Sequence, residues 1–140
     1  MMKIPKTSKY KKSHKGSLKN IVSKNFTLQT ALQSGSIALK FSESGRITPN
    51  HIEASRQALN KHFKKSAQIR FTVFPHTPIT KKPLEIRMGK GKGAVDTWVA
   101  NVCSGDTFVE IEGTNKILIV KKLNALRKKL PLRTKLVYEL

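Results

Sequence analysis

Apolar residues alternate with other side chains over residues 36–41, where Ile37, Leu39 and Phe41 are separated by Ala38 and Lys40. That is the period of a strand with one buried face. Ser44-Gly45-Arg46 reads as a turn, and Thr48-Pro49 as a helix start, because threonine caps free amides and proline at the first helical position gives up no hydrogen bond. Ile52, Leu59 and Phe63, with Ala58, then form one apolar stripe to about Lys65, with Glu53 near the positive end of the helix. Residues 68–74 return to strand, Ile69, Phe71 and Val73 facing one way and Arg70 and Thr72 the other.

Further along, residues 97–103 and 107–112 read as strands joined in a hairpin by Ser104-Gly105-Asp106, with Glu110 and Glu112 on the solvated face. Thr114 is placed to cap a second helix whose stripe is Ile119, Leu123, Leu126 and Leu130, and whose other side carries Lys121, Lys122, Lys128 and Lys129. Pro131 stops it, and residues 133–140 are long enough for a last strand with Leu136 and Tyr138 on one face. Phe63, Phe71 and Trp98 fall on apolar stripes, which predicts core packing for all three.

Two stretches carry no such period. Residues 75–93, opened by Pro75, Pro78 and Pro83, predict a long connection, a length that is uncommon in compact domains unless it is functional. Residues 1–24 have lysines at short, irregular intervals and no acid, and Ile4, Tyr10 and Leu18 follow neither helical nor strand spacing. This predicts an arm, residues 1–24, ordered only when phosphate neutralises it, ahead of a single α+β domain over residues 25–140.

Charge changes the picture from a small domain to one with a polyanionic partner. The 28 Lys and Arg against 8 Asp and Glu give a formal net charge of +20 over 140 residues. Such self-repulsion costs stability in the compact state unless a partner offsets it, and nucleic acid is the usual one, ahead of an anionic membrane or a merely solvated surface. No apolar run reaches the length of a membrane span, and the start has neither an apolar signal core nor an arginine-rich amphipathic pattern, so the arm reads as mature. A lone Cys103 fits a reducing compartment.

The chemistry concentrates in Gly89-Lys90-Gly91-Lys92-Gly93, where cations alternate with residues that permit positive φ and close backbone approach. The run satisfies G-x-G-x-x-[GA] through Ala94, but residues 95–100 read as strand, so no helix N-terminus follows to take a pyrophosphate. No Gly-Lys pair is followed by Ser or Thr, which removes a Walker A loop. His14, His51, His62, His76 and Cys103 lack metal-ligand spacing, no cofactor motif is present, and no catalytic constellation can be read. The sequence therefore predicts a binding protein that reads RNA shape and backbone, with a free nucleic-acid chaperone or DNA-compacting protein as the alternative.

The motifs in order resemble the bacterial and organellar large-subunit ribosomal protein sixteen family. The likeness rests on Phe74-Pro75, Pro78-Ile79-Thr80-Lys81-Lys82-Pro83, Arg87-Met88-Gly89-Lys90-Gly91-Lys92-Gly93 and Trp98-Val99-Ala100. Supporting it are Pro5-Lys6-Thr7, Tyr10-Lys11-Lys12, His14-Lys15-Gly16, Gly45-Arg46-Ile47-Thr48 and Ile52-Glu53-Ala54-Ser55-Arg56. The resemblance implies a two-layer α+β sandwich of the alpha/beta-hammerhead type, two helices on a mixed or antiparallel sheet, packed on large-subunit rRNA near the aminoacyl-tRNA site beside neighbouring ribosomal proteins. It implies no stable homo-oligomer and no catalytic residue.

By position it assigns rRNA binding to Lys6, Lys9, Lys11, Lys12, His14, Lys15, Lys19, Arg46 and Arg56. It assigns a tRNA-site loop to Lys81, Lys82, Arg87, Met88, Gly89, Lys90, Gly91, Lys92 and Gly93. His76-Thr77 departs from the Asp-Lys usual after Phe-Pro, Ala94 stands where Asn is common, and residues 34–44 carry fewer cations than bacterial members. A preference for lysine over arginine suits an AT-rich genome, which points to a mitochondrial location, with plastid or bacterial cytoplasm as the alternatives.

Overall fold

The structure, a computed structural model, describes residues 4–17, 36–63, 66–113 and 115–138. Among these, strands β1 (Ile37–Phe41), β2 (Gly45–Ile47), β3 (Ala67–Phe71), β4 (Thr77–Lys81), β5 (Ala94–Val102), β6 (Thr107–Gly113) and β7 (Thr134–Tyr138) alternate with helices α1 (Pro49–Phe63) and α2 (Lys116–Arg127). The strands form a four-stranded sheet in the order β3-β6-β1-β7 and a three-stranded sheet in the order β2-β5-β4. Every strand pairing is antiparallel, and the class is α+β.

One hydrophobic cluster joins both sheets and both helices. Leu39 and Phe41 of β1, Ile47 of β2, Leu59 and Phe63 of α1, Val102 of β5, Phe108 and Ile111 of β6, and Leu123 and Leu126 of α2 all belong to it. α1 begins where its sequence suggests, with Pro49 first in the helix and Thr48 before it, but the Thr48 hydroxyl lies 3.0 Å from Nδ1 of His51 and not on a backbone amide, so the expected threonine cap is not formed. A bulge between β1 and β6, where the register steps from Leu39↔Val109 to Lys40↔Thr107, leaves Phe108 as the extra residue. Its ring is fully buried, with the rings of Phe41 and Phe71 edge-on at 5.5 and 5.6 Å.

Several expectations are corrected. The stretch read as a continuous connection contains β4, with Pro78 in mid-strand; this is possible because β4 is an edge, where a missing N–H breaks no ladder. Residues 45–47, read as a turn, form β2 against β5. β5 and β6 are no hairpin: they lie in different sheets, and Ser104-Gly105-Asp106 is the corner between them. That corner is held by Asp106, whose carboxylate accepts from the Cys103 amide at 2.7 Å, and by Gly105 at φ 96°.

Asn115, not Thr114, caps α2, accepting from the Leu118 amide at 3.0 Å; Thr114 lies outside the described residues, as do Lys64 and Lys65 at the expected end of α1. Leu130 follows the helix and packs on the core from the turn. β3 ends at Phe71, short of the expected Phe74. Glu110 is buried, not solvated, at a position flanked across the sheet by Ala38 and Arg70; Glu112, nearer the end of β6, is exposed. Trp98 is only half-buried and stands outside the cluster, since it sits toward the projecting half of β5.

Candidate nucleic-acid interface

β4 and β5 form a two-stranded ribbon anchored at one end. Val99, Ala100 and Val102 are buried, whereas Ala94, Asp96 and Thr97 are exposed, so burial falls away along β5 toward residue 94. A bulge at Asp96, between Ile79↔Thr97 and Thr80↔Val95, bends the outer half. The glycine-lysine loop is therefore carried on the free end of a ribbon whose other end is set in the core.

The loop backbone is decided at its glycines. Gly89, Lys90 and Gly91 all have positive φ, 95°, 52° and 85°; lysine in that region is uncommon, and the flanking glycines make the reversal possible. Gly93 closes the loop where a Cβ would lie 2.6 Å from the Lys81 carbonyl oxygen. Lys82 donates through Nζ to the Gly89 carbonyl at 2.8 Å, a brace across the loop. Beyond the brace, Leu84 and Met88 are 101% and 97% exposed and Ile86 is 54% exposed, beside exposed Arg87 and Lys90. Large apolar side chains in water next to unpaired cations mark a contact surface.

The arm is tied to this loop. Lys12 donates from Nζ to the Lys92 carbonyl at 2.8 Å, and Lys92 donates from Nζ to the Ser13 carbonyl at 2.5 Å, a reciprocal clasp. Arg46 on β2 donates from Nη2 to the Lys15 and Gly16 carbonyls at 3.0 and 3.2 Å. Residues 4–17 form no helix or strand, in keeping with their lack of period, yet the loop and β2 supply the partners that the arm's own sequence does not. Lys6, Lys9, Lys11, His14 and Lys15 keep their side chains exposed, Lys9 lying 5.5 Å from the Tyr10 ring centroid. Lys19 lies outside the described residues.

The clasp makes a distinct expectation for Lys92. Removing its ammonium in Lys92→Ala takes away a net contribution of about 0.5–1.5 kcal/mol per hydrogen bond. Chymotryptic cleavage at Tyr10 of the RNA-free protein should then speed up about fivefold while the thermal midpoint of the core stays in place. Cleavage at the wild-type rate would show that these bonds do not hold the arm.

Not every predicted cation is available. Arg56 forms a two-pronged pair with Glu53, at 2.5 and 3.1 Å, the one ion pair among the described residues. Hydrogen bonding to that carboxylate, then its charge, raises the Arg56 pKa, so its charge is already answered within the helix. Conversely, His62 has its pKa lowered, by desolvation first and then by Lys122, Lys61 and Lys129, so the patch it shares favours neutral imidazole. Sequence reasoning also missed a group formed by Arg127, Lys128, Arg133 and Lys135, which gather around one groove. Their signal was present, since Arg133 and Lys135 alternate around an inward Thr134, but only the pairing of β7 with β1 brings them beside the end of α2.

The family described as "Ribosomal protein L16p/L10e" matches residues 5–137. The chain is 40% identical over 136 residues to the large ribosomal subunit protein uL16 of Rhodopseudomonas palustris (strain BisB5), covering 97% of this chain and 96% of the relative. It is 40% identical to the protein of that name in Paracoccus denitrificans (strain Pd 1222) and 41% identical to that in Acinetobacter baumannii (strain SDF), each over 133 residues, 95% of this chain and 94% of the relative.

Proposed function

Because the chain belongs to the ribosomal protein L16p/L10e family, we propose that its arm holds large-subunit rRNA while its glycine-lysine loop serves the aminoacyl-tRNA site. As a member of that family it is a structural constituent of the large ribosomal subunit, not an enzyme, and its partners are rRNA and ribosomal proteins. The observation that carries the finer reading is the ribbon: an exposed, cation-bearing and apolar-tipped loop held away from the core and clasped to the basic arm. An anchored base with a projecting tip suits a protein that binds RNA with one part and reaches a second ligand with the other.

In this reading Lys6, Lys9, Lys11, Lys15 and His14 meet rRNA phosphates directly. Lys12 and Arg46 shape the arm through backbone carbonyls, and Arg56 contributes little beyond its own helix. Arg87, Met88 and Lys90 form the tRNA-facing tip, and Lys81, Lys82, Gly89, Gly91, Lys92 and Gly93 set its shape. The lysine-rich, arginine-poor composition supports a mitochondrial ribosome, while the bacterial relatives support bacterial cytoplasm as the alternative.

The test uses the arm. Lys6→Ala with Lys11→Ala should lower the slope of log K against log salt for large-subunit rRNA by about 0.7 to 0.9 per lost phosphate contact. In a gradient of cell or organelle extract the protein should sediment with the large subunit at fixed stoichiometry. Spread through nucleoid fractions would favour a DNA-compacting protein, and an unchanged slope would leave these lysines solvated.

A further inference from the structure

Apart from the arm and loop, the end of α2 and the start of β7 enclose a groove of about 730 Å³. Arg127, Lys128, Arg133 and Lys135 line it together with Leu130 and Leu132. All four cations are exposed, and none is ion-paired among the described residues. Glu43 accepts from the Arg133 amide at 2.7 Å through Oε1, which brings one carboxylate to the neighbourhood of the four cations and leaves the excess positive.

A helix C-terminus attracts a cation through its dipole, but that effect is spent within the last turn, where Arg127 already lies. Lys135 belongs to another element and is placed by the ladder between β7 and β1, and Arg133, just before β7, is fixed where its carbonyl accepts from the Ser42 amide at 2.9 Å. The same ladder sets Lys135 on the outer edge strand, where it adds to the cations already gathered by Arg127, Lys128 and Arg133. Arg127 is turned by its Nη1 bond to Asn124 Oδ1 at 3.3 Å. Four exposed cations around one groove repel one another in water and are favourable around a polyanion.

We propose that this groove binds the sugar–phosphate backbone of a second rRNA segment, so that the chain bridges two stretches of RNA: one at the three-stranded sheet through arm and loop, the other at the outer edge of the four-stranded sheet. The proposal rests on the assignment of the chain to the large subunit. Two guanidinium groups suit it, because each can grip a phosphate with parallel N–H donors. Backbone contacts of this kind fix position and carry no base specificity.

The test compares Arg127→Gln with Arg133→Gln, together in the full chain, against Lys6→Ala with Lys11→Ala, on deproteinised large-subunit rRNA. The groove pair should lower the salt slope by about 1.4 to 1.8, at 0.7 to 0.9 per contact. The loss should add to that of the arm pair, as expected for separate RNA segments. A photoreactive residue at position 128, assembled into subunits, should crosslink to rRNA. A wild-type slope for the groove pair beside a reduced slope for the arm pair would overturn the groove and leave the family role intact. Failure of both pairs to move the slope would overturn the groove and the arm assignment together. A crosslink to a ribosomal protein instead of RNA would also overturn the groove.

Discussion

Phe108→Ala is expected to destabilise the protein by about 3 to 5 kcal/mol, the largest single effect available in the core. Phe108 is 0% exposed and occupies the bulge where β6 gains a residue on β1, so its ring fills space that no neighbour can enter without shifting a ladder. Phe41 and Phe71 each lose an edge-on partner as well, worth about 0.5 to 1.5 kcal/mol apiece within that total. A domain of this kind holds about 5 to 15 kcal/mol altogether. The urea midpoint should therefore fall steeply with its slope unchanged. Trp98→Ala should cost clearly less, because that ring is half-buried and outside the cluster. Equal losses at the two sites would contradict the placement of either ring.

Arg87→Ala with Lys90→Ala should do the reverse, leaving stability within about 0.5 kcal/mol while impairing function. Both side chains are exposed and neither belongs to the hydrophobic cluster. If each meets a phosphate in the assembled ribosome, one lost charge-assisted bond is worth about 1.5 to 3 kcal/mol, or roughly tenfold and more in the affected step. The subunit should retain the protein, held by arm and domain, while tRNA accommodation slows about tenfold. Lys90→Gly set beside Lys90→Ala separates charge from geometry: both remove the ammonium, and only glycine also relieves a non-glycine residue at φ 52°. Subunit occupancy measured beside translation rate decides the matter, and normal translation by the double variant would sink the tRNA-site assignment. Lys92 is excluded from this pair because its ammonium is committed to the Ser13 carbonyl.

Local pattern was legible wherever one residue's surroundings lie within a few positions of it. The alternation of Ile37, Leu39 and Phe41, the Thr48-Pro49 helix start, and the stripe Ile119, Leu123, Leu126 depend on strand and helix periods alone, and each stands in the structure as an element facing the core. The family resemblance was legible for the same reason, being carried by short ordered motifs, and the match over residues 5–137 agrees with it.

What failed was whatever depends on a partner distant in sequence. Pro78 looked like loop because proline cannot serve a central strand, and only the position of β4 at a sheet edge makes it harmless. Ser104-Gly105-Asp106 looked like a hairpin turn because turn chemistry is local, whereas the sheet to which each flanking strand belongs is not. Glu110 looked solvated because alternation predicts one wet face, and only the register, which sets Ala38 and Arg70 on either side of it, shows it to be buried while Glu112 further along stays exposed.

The candidate site divides along the same line. Sequence by itself determined the chemistry: the net charge, the glycines that permit three successive positive φ angles, and the cations set between them, all properties of residue type and neighbour. Tertiary structure alone decided which cations are free to meet a phosphate. Lys12 and Lys92 are clasped to each other's segments across 80 residues, Arg56 is neutralised by Glu53, and Arg127 and Arg133 become one groove only through the β1–β7 ladder. The physical reason is that charge is additive along a chain, but its availability depends on hydrogen-bond partners and distances that exist only once the chain has folded.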